Sequence, residues 1–209
     1  MKFVSLVSSG IDSPVATYLF SKKAEELIFV HADNQPFTDG RETENFIKLA
    51  KHLKKHILCP IKVYSVSHGD ALSSYKTHCE NRFSCVFCKR MLLRYAEKIA
   101  EKEKADAIIM GDSLGQVASQ TLQNIRVIEQ EVSIPILRPL IGFDKEDVIK
   151  IAKEIGTYDL SILPSDGCGA VPHKPATQAK LEKILSEEKK IDINSLVHEA
   201  VDNATLISL

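Results

Sequence analysis

Three groups of residues have the types and spacing to do chemistry. The first is Ser8-Ser9-Gly10-Ile11-Asp12-Ser13, which ends an apolar, β-branched run from Phe3 to Val7 and leads straight into a helical pattern with Pro14 in its first turn. Strand, tight loop and helix in that order make an anion site. Small side chains let the backbone approach a ligand, and the unpaired N–H groups of the helix start aim partial positive charge at it. Phosphate is the natural occupant. The loop is not a dinucleotide fingerprint, because G-x-G-x-x-G is absent, nor an ATPase P-loop, because no G-K-[ST] follows. The plainer alternative makes Asp12 or Ser13 an ordinary N-cap. The second group is cysteine: five in the chain, with Cys85 and Cys88 spaced C-x-x-C and Cys168 between two glycines. The third is scattered over strand ends and helix starts: His31-Ala32-Asp33, Gly111, Arg138 and Lys145.

The elements that must position these groups alternate. Apolar runs at 3–7, 26–31, 61–66, 107–111 and 134–137 read as five strands, and helical patterns lie between them. One helix carries Phe46, Leu49, Ala50 and Leu53 on one face with Lys51, Lys54 and Lys55 outside. Another, near 89–104, turns Met91, Leu92, Tyr95, Ile99 and Ala100 inward, and Asp144 caps a helix over 145–155. The stretch 67–87 has no clean period and reads as a functional insertion. Such alternation predicts an α/β fold, a doubly wound parallel sheet whose site lies along the carboxyl ends of its strands. Two C-terminal helical patterns follow, near 176–188 and 194–204. The expected organisation is therefore one α/β domain over 1–175 with a helical extension, 176–209, packed on it.

A chain of 209 residues can bury such a core unaided. Its formal net charge of −1 supplies no global basic field for nucleic acid, so RNA contacts would have to be local. Lys51, Lys54, Lys55, Lys89, Arg90 and Arg94 are candidate phosphate contacts, with a solvated helix face as the commoner explanation. Neither a leader pattern nor an apolar run of membrane-spanning length is visible, which makes a cytoplasmic protein the expectation. In that compartment the cysteine usage suggests metal or catalysis before structural disulfides.

Together with the loop, three further stretches carry a family resemblance: Cys85 to Arg94 (CVFCKRMLLR), Met110 to Ile125 (MGDSLGQVASQTLQNI), and Leu137 to Gly169, which begins LRPLIGFDKEDV and ends SDGCG. From about residue 3 to about residue 180 the chain resembles the catalytic, pyrophosphatase-loop domain of tRNA 4-thiouridine synthetases, or tRNA sulfurtransferases. The resemblance implies an adenine nucleotide alpha hydrolase-like fold and an enzyme that adenylates a tRNA uridine with ATP, then replaces its 4-oxygen by sulfur. AMP makes a good leaving group of a poor one. In that scheme Ser8, Ser9, Gly10, Ile11, Asp12 and Ser13 hold the pyrophosphate, with Asp12 also placing Mg2+. Lys145 neutralises charge that develops during adenylation. Arg138 is a further phosphate clamp, Gly111, Gln116 and Ser119 shape the nucleotide pocket, and His31, Ala32 and Asp33 meet adenine and ribose. Where the family loop has its first glycine this chain has Ser9, which would cost about 1 kcal/mol if the position needs a positive φ.

The resemblance also places Cys168 where the family keeps its sulfur-carrying cysteine. Archaeal-type relatives pair that cysteine with a C-x-x-C, so Cys85, Cys88 and Cys168 are expected to hold an iron–sulfur cluster. Cysteine persulfide chemistry, or zinc with Cys79 or His78 added, are the alternatives. Cys59 is expected to be packing. With the first strand starting at Lys2, the RNA-binding THUMP region of full-length relatives and their rhodanese domain are expected to be absent. tRNA would then arrive with a separate THUMP-type protein or on a homodimer, and sulfur from sulfide or a cysteine desulfurase. Competing readings keep the adenylation but change the acceptor to a small molecule or a sulfur carrier in thiamine synthesis, or make the chain a noncatalytic nucleotide- or cluster-binding subunit.

Overall fold

Strand β1 (Lys2–Leu6) sits inside a sheet and is apolar on both faces: Val4 points into one hydrophobic layer, Phe3 and Val7 into the other. The computed structural model describes residues 1–209. The same two-sided burial recurs in β2 (Glu26–Asp33), where Ile28 and Val30 join the first layer and Leu27 and Phe29 the second. Strands covered on both faces read as continuous apolar runs, which is why the five expected strands were visible. The others are β3 (Ile61–Ser67), β4 (Ala107–Ile109) and β5 (Ile136–Leu137). All five pair in parallel, and the sheet order is β5-β4-β1-β2-β3-β6. The last, β6 (Thr205–Leu206), pairs antiparallel with β3; two residues are too few to show a period.

Helices α1 (Asp12–Ser21), α2 (Gly40–Lys54) and α6 (Lys145–Glu154) cover one face. The other carries α3 (Gly69–His78), α4 (Ser84–Glu103) and α5 (Leu122–Glu129), then, after the single turn α7 (Tyr158–Ser161), α8 (Leu181–Glu188) and α9 (Ile193–Asp202). The stretch expected to be irregular, 67–87, is mostly α3, a 3-10 turn over Asn81–Phe83 and the start of α4. Its outer face is Ser73, Ser74, Lys76 and Thr77, and its inner face is only Gly69, Ala71, Leu72 and Tyr75, so the period is short and weak. Cys85 and Cys88 therefore lie on the first turns of a helix, not in a loop. Gly69 is required because a Cβ there would lie 1.8 Å from the Gln35 carbonyl oxygen.

Arg90 and Arg94, candidate RNA contacts in the sequence, are withdrawn from solvent. Arg90 is 1% exposed. It pairs with Glu188 on α8 at 2.9 Å and with Glu131 past the end of α5, and donates to the Val127 carbonyl at 2.7 Å. Arg94 pairs with the same two carboxylates at 2.7 and 3.0 Å. The pair fastens the C-terminal helices to the α/β core. Asn124 does the same by hydrogen bonds, donating to the carbonyls of Ala118 and Ala176 and accepting from the Ala179 amide.

Candidate active site

Chain order runs β1 to β2 to β3 on one side of the sheet and β4 to β5 on the other, so the loops after β1 and β4 diverge. A crevice opens at that reversal, the usual ligand position in an open parallel sheet. The loop after β1 forms its floor. Ser13 Oγ accepts the Ser8 amide at 2.9 Å and lies 3.1 Å from Ser8 Oγ, while the Gly10 amide donates to Ser8 Oγ at 3.3 Å. These bonds hold a tight turn at the head of α1. Ile11 occupies the N-cap position and makes no side-chain cap, so the plain capping role for Asp12 or Ser13 is not what the loop does. Asp12 instead receives Lys145 Nζ at 2.6 Å from the start of α6.

Ser9 is not in the left-handed region; Lys104 is the only non-glycine residue with positive φ. The expected cost of serine therefore does not arise. Its hydroxyl has a use, donating to Glu42 Oε1 on α2 at 3.1 Å. Gly111, at the carboxyl end of β4, is required by close approach: a Cβ would lie 2.7 Å from both the amide nitrogen and the Cα of Ser13. Gly111→Ala must push the loop away from β4. The expected result is at least a tenfold loss of nucleotide affinity with the fold retained, read by calorimetric titration and circular dichroism; unchanged affinity would show that the loop's position does not matter.

The crevice is a cavity of about 290 Å3. Of the expected nucleotide residues, Ser8, Gly10, Ile11, Asp12, Ser13, His31, Ala32 and Gly111 line it. Asp33 does not; its carboxylate caps the Gln35 amide at 3.1 Å. Gln116 turns back to Ser113 Oγ at 3.0 Å and Ser119 is buried away from the cavity, whereas Gln120, not singled out, lines it with a buried, unpartnered Oε1. Asn34, Glu42 and Asp112 are further lining residues that the sequence reading did not select, and Lys89, selected there as a candidate RNA phosphate contact, lines the cavity too. Lys89 faces the cavity and pairs with Asp112, which also receives Arg138 Nε at 3.3 Å. Burial alone would raise the Asp112 carboxyl, but Lys89 and Arg138 more than offset it, and it is held below the ordinary carboxylate range. Arg138 thus stands behind Asp112 rather than on the cavity wall. Glu42 is likewise held low: burial pushes it up, and His31 and the Ser9 hydroxyl outweigh that.

Cys88 lines the same cavity and Cys85 lies one turn back on α4. Burial pushes the Cys88 thiol up to about 12 and raises that of Cys85, and the neighbouring Cys168 sulfur raises both. The three sulfurs are therefore within electrostatic reach of one another. His68 Nε2 is 3.3 Å from Cys88 Sγ, yet burial lowers His68 to about 4, so the two form a neutral pair and not a thiolate–imidazolium couple. No three His, Cys, Asp or Glu side chains are placed to hold one metal ion. The zinc alternative with Cys79 fails on position, because Cys79 Sγ donates to the Glu187 carbonyl at 3.3 Å under α8. The Cys168 loop is tied to the segment after β2: the Gly169 amide donates to the Phe37 carbonyl at 2.7 Å and Arg41 pairs with Asp166 at 3.1 Å.

A doubly wound parallel sheet with a small-residue anion loop at its switch point, walled by Lys89, Asp112 and the Cys88 thiol, defines a nucleotide-site α/β protein of the pyrophosphatase-loop class. Residues 1–193 match the family described as Thiamine biosynthesis protein (ThiI). The chain belongs to that family. It is 44% identical over 199 residues to a probable tRNA sulfurtransferase of Methanothermobacter thermautotrophicus, covering 95% of this chain and 51% of the relative. A probable tRNA sulfurtransferase of Finegoldia magna is 42% identical over 206 residues, covering 98% and 52%. A crystal structure of a 4-thiouridine synthetase–RNA complex with bound ATP superposes with a TM-score of 0.94 at 35% identity, over 99% of this chain and 54% of that one. An NMN synthetase from Francisella tularensis shares the fold, with a TM-score of 0.58 at 16% identity. This chain spans about half the length of the curated relatives it matches. No helix is long and apolar enough to cross a membrane.

Proposed function

We propose that this chain is the ATP-binding, adenylating unit of a tRNA sulfurtransferase, acting in the cytoplasm, with residues 1–175 as the catalytic unit and 176–209 as the extension that braces it. The observation that carries the reading is that one cavity has an anion-gripping loop on its floor and a cysteine, Cys88, on its wall. AMP goes onto the 4-oxygen and sulfur onto the carbon that carries it, so activation and sulfur delivery need adjoining sites. The triphosphate would lie on Ser8 to Ser13. Asp12 is the carboxylate that would hold Mg2+ against it, and release of Asp12 from Lys145 would free the ammonium for the phosphates. Lys89, drawn to the cavity by Asp112, is a second cation for the nucleotide.

The donor set at Cys85, Cys88 and Cys168 is chemically that of an iron–sulfur cluster, three thiols of which Cys168 is near enough to raise the other two. Those three residues would hold the cluster. Such a cluster, when bound, supplies sulfide able to displace the activated oxygen. The supply of sulfide, from free sulfide or a cysteine desulfurase, and the tRNA docking, by a THUMP-type protein or a second copy, are parts of the same proposal.

The test is a tRNA transcript incubated anaerobically with ATP, sulfide and iron-reconstituted protein, reading pyrophosphate and 4-thiouridine. The expected result is tRNA-dependent pyrophosphate release matched by 4-thiouridine. Cys168→Ser should keep the pyrophosphate and lose the thiolated nucleoside, and Cys85→Ser should lose the cluster absorbance. Bound ATP with no tRNA-stimulated pyrophosphate would overturn the reading.

A further inference from the structure

A strap of chain along the crevice edge of the sheet carries positive charge with nothing to neutralise it. From Val171 to Lys180 the backbone forms neither helix nor strand, yet it is pinned along its length. Just before it the Gly169 amide donates to the Phe37 carbonyl, in the loop after β2. The Ala176 amide donates at 2.8 Å to the carbonyl of Arg82, in the 3-10 turn before α4. At the head of α5, Thr121 Oγ1 donates to the Thr177 carbonyl at 2.6 Å, and Asn124 Oδ1 accepts the Ala179 amide at 2.9 Å. The loop after β2, the turn before α4 and the start of α5 all lie at the carboxyl ends of the strands, where the crevice opens. Pro172, Ala176 and Ala179 are buried pegs, and His173, Lys174, Thr177, Gln178 and Lys180 are exposed between and beside them.

The strap has no carboxylate of its own, and its surroundings add cations. Arg82 is exposed at Ala176, Lys76 Nζ lies 5.3 Å from the Phe37 ring, and Arg126 shares a surface groove with Lys180. None of these five cations has a carboxylate partner. Glu80, close to Arg82 in the chain, is held by Lys183, and Asp166, ahead of Gly169, is held by Arg41. Glu182 is the one carboxylate in the groove. In a chain of net charge −1, so many like charges gathered on one strap repel one another until a polyanion lies along them. The lysines at the end of α2 differ. A helix that follows a parallel strand begins at the carboxyl edge and returns to the amino edge, so Lys51, Lys54 and Lys55 stand on the far side from the crevice. There they meet the negative end of the helix dipole, which accounts for them without a ligand.

We infer that the strap, with Lys76, Arg82 and Arg126, is the docking surface for an RNA backbone, whose phosphates it leads past the mouth of the crevice. The inference rests on the tRNA reading above and gives it a surface. Between the cations stand neutral donors, Thr177, Gln178 and Gln123, and that mixture is the one that meets phosphate and ribose oxygens. The pegs hold the charges at fixed spacing, so little ordering is needed on binding. Gly169 is next to Cys168, so a strand laid on the strap passes the sulfur site. Phosphate contacts position without reading bases, so this surface sets where the RNA lies and not which sequence is chosen.

The test combines Arg82→Gln, Arg126→Gln, Lys174→Gln and Lys180→Gln in the full chain, beside a control that combines Lys51→Gln, Lys54→Gln and Lys55→Gln. The probe is a tRNA transcript, its binding read by fluorescence anisotropy from about 50 to 200 mM salt. The strap variant should keep the parent's circular dichroism and ATP affinity, bind tRNA about tenfold or more weakly, and lower the log–log salt slope by about 3 to 4, one for each phosphate contact removed. The control should change neither affinity nor slope by as much. Equal losses in both variants would reduce the effect to net charge and overturn the inference, as would a strap variant or a parent that shows no binding through the strap. If the strap variant keeps tRNA and loses poly-L-glutamate, the surface serves an acidic protein and the inference also fails. Pyrophosphate release separates the two readings. A parent that turns over on tRNA while the strap variant binds it unchanged overturns the surface alone. A parent that binds tRNA through the strap and releases no pyrophosphate overturns the adenylation reading and leaves the surface.

Discussion

Lys145→Ala is expected to slow pyrophosphate release by roughly 100- to 1,000-fold, the usual cost of removing a donor aimed at charge that develops in a transition state. The lysine is placed against the grain of its helix. It is the first residue of α6, where a positive charge opposes the macrodipole, and the sequence supplies Glu146 and Asp147 to complement that end instead. Only Asp12, 2.6 Å away across the floor of the crevice, gives it a partner. Both side chains are part exposed, and ion pairs of that kind are worth about 0–1 kcal/mol, so the variant should fold and melt like the parent. The measurement is single-turnover pyrophosphate release beside ATP affinity. We expect kcat to fall much more than affinity, because in the proposed site Ser8 to Ser13 would still meet the phosphates through their backbone. Lys145→Arg should recover little, since the forked guanidinium cannot replace a compact ammonium at Asp12. An unchanged rate in Lys145→Ala would make the pair a surface contact.

What could be read in the sequence was what depends on neighbours in the chain. The loop after β1 is local: six consecutive residues, with a strand before and a helix after, are enough to predict its form. Gly111 was legible because a glycine at a strand end admits close approach, although that the approaching atoms are the backbone of Ser13 could not be known. The five strands declared themselves by two-sided burial. The second wall was not legible in the same way. Lys89 and Asp112 are 23 positions apart, and each alone looks like a solvated charge; only the parallel register that sets β4 beside β1 brings them to one cavity. In GQVASQ three polar residues compete, and the 3-10 turn over Ala118–Gln120 selects Gln120 over Gln116 and Ser119. Glu42 was hidden because a first-turn glutamate on an amphipathic helix needs no explanation until Ser9 and His31 are seen on either side of it.

The largest effect on stability is expected from Arg90→Ala, about 3 kcal/mol or more of unfolding free energy. The guanidinium is fully buried, and four of its five N–H donors meet Glu188, Glu131 and the Val127 carbonyl. Removing it leaves two carboxylates and a carbonyl short of partners in a desolvated place, which costs more than the intact network contributes. Arg94 still reaches both carboxylates at 2.7 and 3.0 Å, and this keeps the loss toward the lower part of the 3–5 kcal/mol range seen for broken buried pairs, a range of about that width. The effect should carry a pH signature. Burial would raise the Glu188 carboxyl, but Arg90 and Arg94 pull it below its ordinary value of 4.5. A carboxylate held low stabilises the fold fully above that ordinary value, and its contribution fades as pH falls through the lower folded value. Urea unfolding from pH 7 downward should therefore show the parent losing stability on the acid side, and Arg90→Ala losing less there because part of the term is already gone. Since the network joins α4 to α8 and not to the crevice, ATP affinity below the unfolding transition should be unchanged. Equal stability of parent and variant at pH 7 would mean that the C-terminal helices are held by their apolar face alone, through Ile184 and Val197 packed on the same layer as Val86 and Met91.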